Sequence, residues 1–194
     1  WQNVGKIRNR GIELSLNSTN IASRGGFRWT TDFNISFIRN ELRALADGAK
    51  TMYTAASWNG DYSGYDYMAS VGQSLGLIYG YVFDGVYQTS DFNVNAATGA
   101  FELKEGVTDI TSHAGRAVQP GMVKYKDIDG DGVITTADRT KIGNGTPSWY
   151  GGITNTLSYK GVDLSFMFQF NYGNDVYNAT RIYASQTQDQ RANL

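Results

Sequence analysis

A chain of 194 residues with 17 basic and 18 acidic side chains, and a pI near 5.8, exerts no general pull on nucleic acid, which is excluded as an expected partner. The lack of cysteine removes disulfide and thiol chemistry, and no run approaches the ~20 apolar residues of a membrane-spanning helix. With 23 Gly, 13 Tyr, 9 Phe and 4 Trp against 2 Pro, the composition suits turn-rich, aromatic β structure, so the expected class is all-β with antiparallel strands.

The first periodic segment, residues 11–17, sets Ile12, Leu14 and Leu16 against Glu13, Ser15 and Asn17, a period of two that predicts a strand with one apolar face. After a polar connection at 18–26, Trp29, Phe33, Ile35 and Phe37 alternate with Arg28, Thr30, Asp32, Asn34 and Ser36. The two segments form an expected hairpin within residues 1–39. Residues 40–148 are rich in Gly, Asp, Tyr and Asn, with short apolar segments only, and describe a long, internally structured excursion. A second hairpin is expected in 149–194, where Ile153, Leu157 and Tyr159 lead into a tight turn at Tyr159-Lys160-Gly161, followed by Val162, Leu164, Phe166, Phe168 and Phe170.

Alternation of this kind suits a soluble sandwich as well as a membrane barrel, and a mean hydropathy of -0.39 does not separate them, because barrel strands alternate lipid-facing with lumen-facing residues. Length favours the barrel. The runs from Arg28 and Val162 each last about 10 residues, as a tilted spanning strand requires, whereas globular strands are usually about 5–6. In a barrel the short connections are periplasmic and the excursion extracellular, and since four strands cannot close a barrel that needs about 8, the chain is expected to be incomplete.

The sharpest chemical signal is Asp127-Ile128-Asp129-Gly130-Asp131-Gly132-Val133-Ile134-Thr135-Thr136-Ala137-Asp138. Carboxylates at loop positions 1, 3 and 5, Gly at 6 and an acid at 12 reproduce the spacing of a calcium loop of EF-hand type, because Ca²⁺ takes clustered hard oxygens. Asp127, Asp129 and Asp131 would ligate through carboxylates, Val133 through its carbonyl, Thr135 through a water and Asp138 as the closing acid. The shorter Asp at position 12 weakens bidentate closure. The bland alternative is a Gly-Asp turn whose side chains cap their own backbone. A bound ion would be structural, since nothing nearby supplies a nucleophile or a base.

A second motif, 58–67, interleaves Trp58, Tyr62, Tyr65 and Tyr67 with Gly and Asp. Such rings can contact a sugar or a protein partner, or simply pack within their own loop. The catalytic inventory is empty: His113 has no nucleophile motif around it, and Asp61 with Asp66 is no dyad without a measured separation. No catalytic residue and no enzyme activity is expected.

Several motifs in order carry a family resemblance. Asn3-Val4-Gly5, Asn9-Arg10-Gly11-Ile12-Glu13-Leu14 and Trp29-Thr30-Thr31-Asp32-Phe33-Asn34 come first. Gly72-Gln73-Ser74-Leu75-Gly76, Asp84-Gly85-Val86-Tyr87-Gln88, the acidic loop, Ile142-Gly143-Asn144, Gly151-Gly152-Ile153-Thr154-Asn155-Thr156 and Tyr172-Gly173-Asn174-Asp175-Val176-Tyr177-Asn178 follow. Together they resemble SusC/RagA-type TonB-linked outer-membrane transporters over nearly the whole chain. The resemblance implies a barrel of about 22 strands, closed by a plug and a SusD-like lipoprotein lid. Such a barrel imports oligosaccharides or peptides with energy passed through TonB, which would act on an amino-terminal region not represented here. Outer-membrane lipid is then a partner of the strands. The alternative is a secreted, calcium-dependent carbohydrate-binding or adhesion module, in which the apolar faces would enclose a core.

Overall fold

The computed structural model describes residues 5–56 and 64–184. In chain order it contains β1 (Gly5–Ala22), β2 (Arg28–Leu45), β3 (Thr51–Thr54), β4 (Tyr67–Ser70), β5 (Leu77–Gly80) and β6 (Phe83–Val86). There follow β7 (Phe92–Val94), β8 (Phe101–Leu103), the one-turn helix α1 (Thr111–Ala114), β9 (Val123–Tyr125), β10 (Thr140–Asn144), β11 (Trp149–Tyr159), β12 (Val162–Tyr172) and α2 (Ala179–Ala184). The pairings are antiparallel, the class expected from composition. Among the described residues no helix is long and apolar enough to cross a membrane, which says nothing about strands.

The chain divides into two compact units, one built from residues up to Ile78 and from Gly143 onward, the other from Tyr79–Ile142. The first holds a four-stranded sheet in the order β1-β2-β11-β12. Both hairpins form as the alternation predicts, and β2 pairs with β11 across more than a hundred residues of chain. The β11–β12 turn places Lys160 and Gly161 at φ 49° and 82°, the paired left-handed geometry that matches strand twist in a two-residue hairpin.

β1 and β2 each run 18 residues, well beyond their apolar stretches. The hairpin extends because the ladder needs only backbone N–H and C=O groups, which Arg, Asn and Glu supply as readily as Phe. β2 therefore continues past residue 39 into the segment expected to be the excursion.

Register decides the faces. Leu16 stands opposite Phe33, Phe33 opposite Ile153 and Ile153 opposite Phe168, while Ile12, Phe37, Trp149 and Tyr172 form a parallel row. One side is thus apolar across all four strands. Its neighbours on the other side are Glu13, Ser15, Asn17, Asp32, Asn34, Thr154, Thr156, Ser165 and Gln169. The eight steps of β2 from Trp29 to Phe37 cover about 26 Å of strand.

The second unit has its own core, in which Tyr87, Phe92, Ile110, Val118 and Ile134 are buried and Tyr81, Leu103, Val107, Met122 and Tyr125 pack around them. The Tyr87 hydroxyl donates to the Thr108 carbonyl. Burial first, then the charges of Asp109 and Asp91, push its pKa up to about 12, which keeps the phenol a donor at neutral pH.

Candidate functional site

Three features outside ordinary packing stand out, beginning with the apolar face of the sheet. Its residues are not enclosed: Leu14 is 58% exposed, Val162 71% and Phe168 62%. Water does not tolerate so large a contiguous apolar surface on a free protein, so the face is built to be covered. Aromatic rows mark both ends of the apolar band. At one end Trp149 packs against Phe170 and stacks on Tyr172 with centroids 5.1 Å apart; at the other Phe27 meets Tyr159 at 6.4 Å.

A polar island on this face is satisfied from within. The Asn155 carbonyl oxygen Oδ1 accepts from Trp29 Nε1 at 2.9 Å and from the Thr31 hydroxyl at 2.7 Å. No demand for water is left at that oxygen. On the opposite face the Asn17 amide donates to the Asp32 carboxylate, and the Thr156 and Ser165 hydroxyls lie 3.3 Å apart. This side can solvate an aqueous passage.

The acidic loop is the second feature. One ligand atom each from Asp127, Asp129 and Asp131 lies within 4.8 Å of the others, a separation that one cation can bridge. Gly130 and Gly132, at φ 80° and 83°, provide the reversals that turn the carboxylates inward. The loop's own amides orient them: Gly130 and Gly132 donate to the two oxygens of Asp127 at 2.7 Å each, Asp131 to Asp129 at 3.2 Å, and Val133 to Asp131 at 2.8 Å.

The loop is fastened at its far end by fully buried Ile134 and by the bridge of Val133 with Asp109. Asp138 is also buried, and its two oxygens accept from the Ile128 and Thr135 amides at 2.8 Å each. Its carboxylate closes the loop as a cap and is not one of the three clustered groups, though each oxygen retains a second lone pair for a cation. The Thr135 amide, together with those of Ile128 and Asp129 and the Asp127 side chain, lowers the Asp138 pKa against the opposing effect of burial.

Asp129 moves the other way. The Asp131 amide pulls its pKa down, but desolvation and the charges of Asp131, Asp138 and Asp127 outweigh that pull and raise it. Converging like charges of this kind are what a divalent cation relieves.

The third feature surrounds the aromatic motif. Tyr65 is exposed and meets Tyr53 at 5.9 Å, and Tyr67 meets Tyr177 at 5.8 Å. Trp58 and Tyr62 lie outside the described residues, as does Asp61. Asp66, 1% exposed, accepts from the Ala56 amide at 2.7 Å and from the Tyr177 hydroxyl at 2.6 Å. It therefore fixes both flanks of residues 57–65 and ties them to the chain beyond β12. Nothing in the sequence marks this, because Asp66 and Tyr177 are 111 residues apart.

Asp66→Ala is expected to remove the acceptor shared by the Ala56 amide and the Tyr177 hydroxyl and to destabilise this region by about 1–3 kcal/mol. Hydrogen exchange should show faster exchange at residues 54–56 and 176–178, with the β11–β12 ladder unchanged. His113 lies beside Tyr81 at 4.6 Å and Tyr125 at 5.5 Å. Burial and then the Arg139 charge lower its pKa, so it stays neutral at neutral pH.

No family model matches the chain. Among curated proteins it is 35% identical over 179 residues to TonB-dependent receptor P3 of Formosa agariphila, covering 92% of this chain and 16% of that protein. To TonB-dependent receptor P39 of the same organism it is 33% identical over 194 residues, covering 90% and 18%. To TonB-dependent receptor SusC of Bacteroides thetaiotaomicron it is 24% identical over 176 residues, covering 91% and 15%. The chain thus spans under a fifth of the length of these relatives. In fold it is similar to the RagAB peptide importer in the closed-closed state, with a TM-score of 0.57 and 20% identity over 89% of this chain and 16% of that one. Its TM-score to the RagAB peptide transporter is 0.55 at 18% identity.

Proposed function

The chain belongs to the SusC/RagA-type TonB-dependent receptors, and from that membership we propose that it forms part of the wall and outer vestibule of an outer-membrane nutrient importer. The intact protein passes oligosaccharides or peptides across the outer membrane of a Gram-negative bacterium, with a SusD-like surface lipoprotein as lid and TonB as the source of energy. It does so by gated passage without bond chemistry. The observation that carries the reading is the four-stranded sheet with one exposed apolar face, interrupted only by the self-satisfied Thr31–Asn155 island, and one polar face. Lipid covers the first and the lumen lies along the second, which supports transport over a soluble carbohydrate-binding module, whose apolar face would be enclosed.

In this reading residues 46–148 stand on the extracellular side, because barrel strands are joined there by long loops and on the periplasmic side by short turns such as Lys160-Gly161. Tyr65 and Tyr67, with Trp58 and Tyr62, contribute contacts to substrate or lid. Cysteines placed singly at Ala97 and at Lys160 in the full-length protein test the orientation. A membrane-impermeant maleimide added to intact cells should label the first and spare the second, and the reverse pattern overturns it.

Asp127, Asp129 and Asp131, with the Val133 carbonyl and Asp138, hold a structural Ca²⁺ in this loop. Supported by the carboxylate spacing, the proposal predicts that 10 mM Ca²⁺ stabilises the second unit by about 1.4–2.7 kcal/mol for a dissociation constant of about 0.1–1 mM. Asp129→Asn should lose most of that gain in calorimetry of the full-length protein. Acid acts twice: protons compete for Asp129 as pH falls through its raised pKa, and the stability that Asp138 contributes above the ordinary carboxylate range is lost only at the lower pH of its depressed pKa. An unchanged melting profile across Ca²⁺ and EDTA leaves the loop a self-capped turn.

A further inference from the structure

We propose that the outward side of the β1–β2 hairpin, at the end away from the 23–27 connection, binds the phosphate groups of anionic membrane-lipid headgroups. The inference rests on the lipid-facing reading of the apolar side and adds a specific ligand site to it.

The row Ile12–Phe37 closes the apolar band on these two strands, in line with Trp149 and Tyr172. The next pair on the same face is Arg10 opposite Arg39, then Arg8 opposite Glu41, then Lys6 opposite Ala44 across a register shift that carries Arg43. Lys6, Arg8, Arg10, Arg39 and Arg43 are all exposed. Against these five cations stands one carboxylate, Glu41, and it is engaged by Arg43 at 3.3 Å. Among the described residues the other four have no ion-pair partner.

Like charges placed directly across a ladder destabilise it, so the Arg10–Arg39 pair is a cost that folding alone does not explain. The inner side of the same strand ends has other work. There Leu42 is buried, its amide donating to the Gln73 carbonyl at 2.9 Å and its carbonyl accepting from Gly72 at 2.8 Å, while Asn40 Oδ1 accepts from the Leu75 amide at 2.7 Å. The cations therefore face away from the chain, on the side of the exposed apolar residues.

Two residues of strand cover about 7 Å, and at a barrel tilt of about 45° Arg10 and Arg39 stand about 5 Å and Arg8 about 9 Å beyond the aromatic row along the membrane normal. That is the depth at which hydrocarbon gives way to headgroups. Guanidinium groups grip phosphate oxygens two at a time, and two facing arginines can share one phosphate whose charge cancels their repulsion. With the excursion outside, the occupant is the phosphorylated glycolipid of the outer leaflet.

The test uses the full-length protein in phosphatidylcholine nanodiscs titrated with bisphosphorylated lipid A, with bound lipid counted by native mass spectrometry. Arg10→Gln/Arg39→Gln should weaken lipid A binding about 30-fold, and Glu41→Gln should strengthen it about fivefold, from roughly 1 kcal/mol per charge near a charged membrane. A compact, heat-sensitive band on electrophoresis confirms that each variant is folded, and the gain with Glu41→Gln cannot come from misfolding. Lipid A lacking its phosphates should bind no better to wild type than to the double variant.

Equal lipid A binding by all three proteins overturns the proposal. So does a thermal shift from inorganic phosphate alone as large as that from lipid A, which marks a site for a free anion. Failure of the wild-type protein to enter nanodiscs at all overturns the membrane reading beneath it, an outcome distinct from either.

Discussion

Phe168→Arg in the full-length protein is expected to lower folding stability in a bilayer by about 2–4 kcal/mol, whereas Gln169→Arg, one residue along β12, changes it by about 1 kcal/mol or less. Phe168 lies opposite Ile153, midway between the aromatic rows, is 62% exposed and meets the Phe166 ring at 5.8 Å, so arginine there has open space to extend into. The cost arises only from placing a charge in hydrocarbon. Gln169 points to the polar face, where the added guanidinium remains hydrated. Urea titration in phospholipid vesicles, followed by tryptophan fluorescence, gives both values. Equal, small effects at the two positions would show that water covers both faces and end the barrel reading.

The second large effect is expected at Gly151. A Cβ there would lie 2.2 Å from the Asn34 carbonyl oxygen and 3.0 Å from both Ile35 Cα and Phe170 Cε2. Two of these three atoms belong to the backbone of the neighbouring strand and cannot rotate away, so Gly151→Val must force β2 and β11 apart. The absence of a side chain also makes room on the apolar face for Phe170, which sits across from Gly151 and packs on Trp149 at 5.5 Å. A loss of about 2–4 kcal/mol follows from overpacking against a fixed ladder.

At adjacent Gly152 a Cβ meets the Phe168 carbonyl oxygen at 3.3 Å and nothing else closer than 3.9 Å. Gly152→Ala should therefore cost about 1 kcal/mol or less. Comparing the two urea midpoints separates a requirement for glycine at one position from general intolerance of substitution in β11.

The sequence carried the local rules. Alternation around Ile12, Phe33 and Phe168 assigned strands and their faces, Tyr159-Lys160-Gly161 marked the turn to within one residue, and 127–131 announced clustered carboxylates, because each signal lies within a few residues. Less local features were illegible. Residues 38–45 break the apolar alternation with Arg, Asn and Glu, so nothing showed that β1 and β2 would run on together. Asp138 fits a ligand position by spacing, yet whether its carboxylate meets an ion or the Ile128 and Thr135 amides depends on how the loop folds over Ile134.

What the sequence by itself determined is that each long strand has one apolar and one polar side, since side chains alternate wherever the backbone is extended. Whether the apolar side is sealed inside a sandwich or turned outward was a tertiary decision. It was made by the pairing of β2 with β11, which aligned four such sides into one face that no second layer covers among the described residues. Alternation is the same in both architectures, so only the pairing of distant strands distinguishes them.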